Sequence, residues 1–114
     1  MNADPNLDRG LQAVADPTRR RILQALKEPT PSSAVHAAHF STGKRVKGSA
    51  RAAACLCAGD IQERMQLSQP TISHHMAILA KAGLIEAVKQ GQWRWYRRNE
   101  RAIRKLLKTL RARL

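Results

Sequence analysis

Acidic residues are scarce in this 114-residue chain: 8 Asp and Glu stand against 21 Lys and Arg, a formal charge of +13. A polyanionic partner is thereby favoured, nucleic acid before anionic lipid. Long apolar runs are missing too. The longest, residues 52–58, has seven residues, whereas a bilayer span takes roughly 20. No membrane partner is expected. The start Met1-Asn2-Ala3-Asp4 lacks the basic opening of a secretory leader, so a cytoplasmic location is expected. Cys55 and Cys57 are the only two cysteines; they form no disulfide framework, and a bond between them would close a strained ring. No Ser/His/Asp arrangement, paired carboxylates or glycine-rich phosphate loop is present, so no enzyme is expected.

What the chain does have suits one small domain. Eighteen of its apolar residues are alanine, which leaves a thin core and makes homodimerisation an expected source of further burial. Leu7, Leu11 and Val14 recur at helical spacing and predict a short first helix. Asp16-Pro17 reads as an N-cap followed by proline in the first turn. It opens a second helix from about Pro17 to Lys27 that buries Ile22, Leu23 and Leu26. Arg19, Arg20 and Arg21 on this helix are expected to be solvated surface that pairs with carboxylates. Residues 28–54 break the pattern with Pro29, Pro31, Gly43 and Gly48 among Lys44, Arg45 and Lys47. They read as a basic inserted loop, of a length that is usually functional or disordered. Residues 51–58 are alanine-rich and read equally well as helix or as apolar packing.

Asp60-Ile61-Gln62-Glu63 has the form of a capping box and predicts a short helix ending near residues 65–66. Ser68-Gln69-Pro70 starts another, which buries Ile72, Met76 and Leu79 and stops at Gly83. Two short helices joined by so tight a turn outline a helix-turn-helix. Residues 84–88 and 92–98 are short candidate strands, joined by a turn at residues 89–91 into a β-hairpin with a basic tip. Asn99 then caps a last helix with an apolar stripe of Ile103, Leu106, Leu107, Leu110 and Leu114. That stripe wants a partner surface, and the same helix of a second protomer is the simplest one. Residues 89–114 hold ten basic and one acidic residue, a net +9. Trp93, Trp95 and Tyr96 are interleaved with Arg94, Arg97 and Arg98 there, and are expected to pack the hairpin rather than to stack on bases.

The run from Ala15-Asp16-Pro17-Thr18-Arg19-Arg20-Arg21-Ile22-Leu23 resembles the opening helix signature of the ArsR/SmtB transcriptional repressors. Cys57-Ala58-Gly59-Asp60-Ile61, Leu67-Ser68-Gln69-Pro70-Thr71-Ile72-Ser73-His74-His75-Met76 and Ala82-Gly83-Leu84-Ile85 are similar to their helix-turn-helix core, and Gly91-Gln92-Trp93-Arg94-Trp95-Tyr96-Arg97 to their β-wing. The resemblance covers residues 7–27 and 55–98. It implies a mainly α fold with a small β-hairpin: one winged helix-turn-helix domain over residues 1–114, dimeric through its terminal helices, with 28–54 as the inserted loop and 99–114 as the dimerisation helix. The implied function is that of a homodimeric repressor on palindromic operator DNA, released by an inducer.

In such a motif Gln69, Thr71, Ser73 and His74 are placed to read base edges in the major groove. Ser68 and its helix N-terminus can hold a phosphate, while Lys89 and Arg94 can reach phosphates or the minor groove. His75, beside the apolar face, is expected to be a partly buried structural residue. Arsenite-responsive members place a Cys-x-Cys-Asp cluster at the start of the first motif helix. With Asp60 in the Asp position, Cys57 matches the first cysteine, Gly59 falls at the second, and Cys55 lies two residues earlier. Cys55 and Cys57 are the candidate ligands for arsenite, antimonite or another thiophilic ion. Zinc held by them with His36 and His39, inert thiols and redox chemistry are the alternatives. The zinc site that some members build on the C-terminal helix is not expected, because Glu100 is that helix's sole candidate ligand. The competing function is a non-specific RNA-binding module that uses the basic C-terminal segment.

Overall fold

The computed structural model describes residues 4–27, 56–90 and 93–114. The inserted loop 28–54, with His36 and His39, lies outside the described residues, as do Cys55 and Gly91. Helix α1 (Pro5–Ala15) is opened by Asp4, whose carboxylate accepts the backbone N–H groups of Asn6 and Leu7. Asp16 separates it from α2 (Pro17–Lys27) and caps the second helix by accepting the N–H groups of Thr18 at 2.7 Å and Arg19 at 3.2 Å. The Asp16 cap satisfies donors of a helix start as the sequence predicts, whereas the Asp4 cap was not expected.

Strand β1 (Leu56–Cys57) was not expected, and it turns the hairpin into a three-stranded antiparallel sheet of order β1-β3-β2. Leu56 stands opposite Tyr96 and Cys57 opposite Trp95. Helix α3 (Ala58–Met65) begins as soon as that pairing ends, with Cys57 at its N-cap. The capping-box reading of Asp60 is thus corrected. Its carboxylate is fully buried in the first turn and accepts the Cys57 thiol hydrogen at 3.4 Å. Gln66 takes a left-handed φ of 57° to end the helix.

Helix α4 (Gln69–Lys81) follows, with Ser68 accepting the Thr71 N–H and Gly83 turning the chain at φ +78°. Strands β2 (Ile85–Gln90) and β3 (Trp93–Arg98) form the wing. Lys89 is a strand residue opposite Arg94, not part of the turn. The six paired positions carry the ladder to Gln90 before the chain reverses. Alternation along the strands turns Ile85 and Tyr96 to the main core, and Val88 and Trp95 to the opposite face with Cys57.

Asn99 caps α5 (Glu100–Arg113) by accepting the Ala102 N–H. Ala102, Ile103 and Leu106 of this helix pack against a core of Ile22, Leu26, Ile61, Ile72, Met76 and Leu79. Gly10 permits the approach of α5 to α1, since a Cβ there would stand 2.6 Å from a Leu106 methyl. Leu107 and Leu114 remain 59% and 97% exposed, so the apolar stripe runs past the core it helps to cover. No helix among the described residues is long and apolar enough to cross a membrane.

The arginine run of α2 divides in a way its spacing did not indicate. Arg21 is exposed, as expected, but the Arg19 side chain is only 13% exposed. Its guanidinium donates to the carbonyls of Ala13 at 2.7 Å and Gln12 at 2.9 Å, and to His75 Nδ1 at 3.2 Å. Because a guanidinium only donates, this contact requires His75 to present an unprotonated Nδ1. Arg19 therefore closes the end of α1 and ties it to α4. Burial pushes the neighbouring Asp16 carboxyl up, but the N–H groups of Arg19 and Thr18 and the charge of Arg19 outweigh it and hold the group below its usual value.

Candidate nucleic-acid interface

The candidate contact residues fall on two elements. On α4 the buried residues Ile72, Met76 and Leu79 define the inner face, and Gln69, Thr71, Ser73 and His74 are all exposed. Ser68 is exposed as well, though its hydroxyl is committed locally: it meets the Thr71 hydroxyl at 2.8 Å and accepts the Thr71 N–H. Each hydroxyl keeps further hydrogen-bonding capacity. His75 is half-buried against Arg19, and its ring lies 5.7 Å from that of His74. The formally charged complement of α4 is Lys81 alone, in its last turn.

The charge lies on the wing. Lys89 and Arg94 are exposed and directly opposite one another across the β2–β3 ladder. Residues so paired have Cβ atoms about 5 Å apart, and like charges there oppose the pairing. The sheet meets this cost at its outer half, while at its base Glu86 accepts from Arg97 at 2.7 Å. Opposite charges are paired near the base and like charges gathered towards the tip, an arrangement that sheet stability does not explain. Spacing alone could not show this, because it depends on the register. The aromatics fulfil the packing expectation where their side chains are described: Trp95 is fully buried and Tyr96 is 8% exposed.

A match to the family model described as bacterial regulatory protein, arsR family, spans residues 52–87, which include β1, α3 and α4. An arsenical resistance operon repressor of Staphylococcus aureus is 40% identical over 55 residues, covering 48% of this chain and 53% of the relative. Over these segments the chain is similar to the arsR family. An uncharacterized HTH-type transcriptional regulator of Methanocaldococcus jannaschii is 38% identical to this chain over 53 residues, 46% of the chain and 60% of the relative. The chain spans about half the length of the curated relatives it matches. Among solved structures, an ArsR-like transcriptional regulator from a Rhodococcus species shares the fold with a TM-score of 0.66 at 23% identity, over 94% of this chain and 77% of that one. The arsR-type winged helix is therefore the architecture of the whole described molecule.

Of the two candidate thiols, Cys57 is described. It is buried between Trp95 and Val88, with Asp60 at hydrogen-bonding distance. Burial, and after it the Asp60 charge and the thiol's own hydrogen bond, push the Cys57 thiol from 9.0 up to about 11. Among the described residues, no group of three or more His, Cys, Asp and Glu is arranged to hold a metal ion. A thiol whose folded pKa is raised contributes stability that is complete below pH 9 and is lost as pH rises towards about 11. Thermal melts between pH 8 and 11 are expected to show that alkaline loss in the parent chain and in Cys55→Ser, but a flatter profile in Cys57→Ala. An unchanged slope in Cys57→Ala would mean that the thiol is not its source.

Proposed function

We propose that this chain is an arsR-type, sequence-specific DNA-binding repressor that acts as a homodimer on a palindromic operator. The observation that carries the reading is the pairing of a neutral, exposed polar face on α4 with the concentrated positive charge of Lys89 and Arg94 on the wing. Neutral side chains such as Gln69 and Ser73 hydrogen-bond base edges, and the wing cations hold the phosphates. Leu107 on α5 and Leu114 just after it, both left exposed, support a dimer through the terminal helices, with residues 99–114 as its helix. The whole of 1–114 then acts as one domain.

Release by a thiophilic inducer such as arsenite is the finer part of the reading, supported by relatives named as arsenical resistance operon repressors. Cys57 contributes one soft ligand after giving up its bond to Asp60, and Cys55 contributes the second. Each thiol that joins arsenite displaces one hydroxide as water, so the bond forms without an added oxidant.

Fluorescence anisotropy with the chain's own promoter and a scrambled duplex at moderate salt tests the proposal. The promoter is expected to bind more tightly, with Gln69→Ala or Ser73→Ala reducing the preference about ten-fold. Arsenite is expected to release the complex in the parent chain but not in the Cys55→Ser/Cys57→Ser double variant. Equal binding of both duplexes sinks the repressor reading, and preference for structured RNA selects the non-specific module instead. Arsenite release that persists in the double variant moves the inducer site elsewhere.

A further inference from the structure

The base of the wing carries a second concentration of charge, separate from the Lys89–Arg94 pair. An open groove of about 940 Å³ lies between the end of α2, the base of β2 and β3 and the start of α5. Five cations line it: Lys27, Arg97, Arg98, Arg101 and Arg104. Its two carboxylates are both engaged, Glu86 by Arg97 and Glu100 by Arg98. Arg98 also donates to the Leu23 carbonyl at 3.0 Å, which fixes its guanidinium at the groove wall. Lys27, Arg101 and Arg104 have no ion-pair partner among the described residues. The lining thus carries a net charge of +3, five cations less two carboxylates, gathered in a concavity where like charges repel one another.

This groove is not at the proposed duplex face. Each six-residue wing strand spans about 20 Å, so the outer end of the wing is that far from its base. Helix α4 is also about 20 Å long, and its C-terminal end, not the end bearing Gln69, leads into β2 at the wing base. Along their elements, Gln69 is removed from the groove by the length of α4, and the Lys89–Arg94 pair lies three ladder positions, about 10 Å, beyond the Glu86–Arg97 pair that lines it.

We propose that the groove is a binding site for a small anion that carries two or more phosphate groups. Arg101 and Arg104 stand three residues apart on α5, with Cβ atoms about 5–6 Å from one another, a separation that suits successive phosphates. Planar guanidinium groups bind phosphate oxygens in pairs, and Lys27 supplies a point charge from the opposite wall. A volume of this order holds a di- or triphosphate with room for an attached group. The site joins α2, the wing and α5, and it stands independently of the DNA reading.

Inorganic tripolyphosphate titrated calorimetrically into the full chain at 150 mM salt tests the proposal. One saturable site per chain is expected. Arg101→Ala/Arg104→Ala is expected to weaken it about ten-fold or more, and Lys27→Ala, on a different element, to weaken it several-fold. Lys108→Ala/Arg111→Ala removes the same charge from the same helix outside the groove and is expected to leave binding within two-fold. Circular dichroism of each variant checks that the helices persist. Equal weakening by the two double variants means diffuse charge rather than a site and overturns the proposal, as does a titration that never saturates. A duplex-affinity loss in Arg101→Ala/Arg104→Ala that exceeds that in Lys108→Ala/Arg111→Ala would make the groove a DNA contact, and would likewise overturn it.

Discussion

Affinity for duplex DNA is expected to fall about 1000-fold between 50 and 200 mM salt, the loss associated with neutralising about six phosphates. In the proposed dimer the Lys89–Arg94 pair occurs twice, so four phosphate-seeking charges come from the wings alone. The exposed cations elsewhere on each protomer supply the remainder. Arg94→Ala and Lys89→Ala should each lower affinity for every duplex and make the salt dependence shallower, by about one unit of slope for each phosphate no longer neutralised. Gln69→Ala should leave the slope unchanged while narrowing the gap between promoter and scrambled DNA. Anisotropy titrations at four or five salt concentrations separate these effects. A log–log slope smaller in magnitude than about 2 would be incompatible with so charged a wing holding phosphates.

The contrast between wing and helix explains why the two classes of variant should differ. Helix α4 has Lys81 as its one formally charged residue, at the end remote from Gln69. Its contacts to bases would be hydrogen bonds between neutral groups, which release few counterions. Preference for one sequence is then nearly independent of salt while total affinity is not. In the proposed repressor the +13 charge of the chain would hold the duplex and leave the choice of site to Gln69, Thr71, Ser73 and His74.

How much of this the sequence revealed depends on whether the cause was local. Asp16, Ser68 and Asn99 could be identified as helix caps because each bonds to an N–H two or three residues ahead. Gly83 marked the end of α4 because a positive φ favours glycine. Strand β1 went unrecognised: two residues in an alanine-rich run carry no alternation, and their strand character comes entirely from Tyr96 and Trp95, some forty residues away. Asp60 matched a capping box, yet the strand that precedes it starts the helix earlier and moves its carboxylate into the interior. Arg19 looked like its two neighbours until its burial and its contact with His75 distinguished it. Exposure of the candidate contact residues on α4 followed from the helical period, since their buried neighbours fix the inner face. The groove at the wing base draws on residues from 26 to 104, and no local pattern foreshadows it.

Trp95→Ala is expected to have the largest effect on stability. The indole is fully buried, and it is the largest side chain among the described residues to be so. Removing a buried Trp typically costs about 3–5 kcal/mol, against a total of about 5–15 kcal/mol for a domain of ordinary stability. The melting temperature should drop by roughly 15 °C or more. Trp95 packs with Cys57 and Val88 on the sheet face opposite the main core, so its loss acts first on the β1–β3 pairing and on the start of α3. The helices that share the core of Ile22, Ile61 and Leu79 are affected through that loss. Far-UV dichroism should therefore retain a helical signal at temperatures where the wing has already come apart. Trp95→Phe, which keeps an aromatic ring but leaves part of the volume empty, should fall between the two. A melting temperature within about 3 °C of the parent would mean the wing contributes little to the fold, contrary to the position of this side chain.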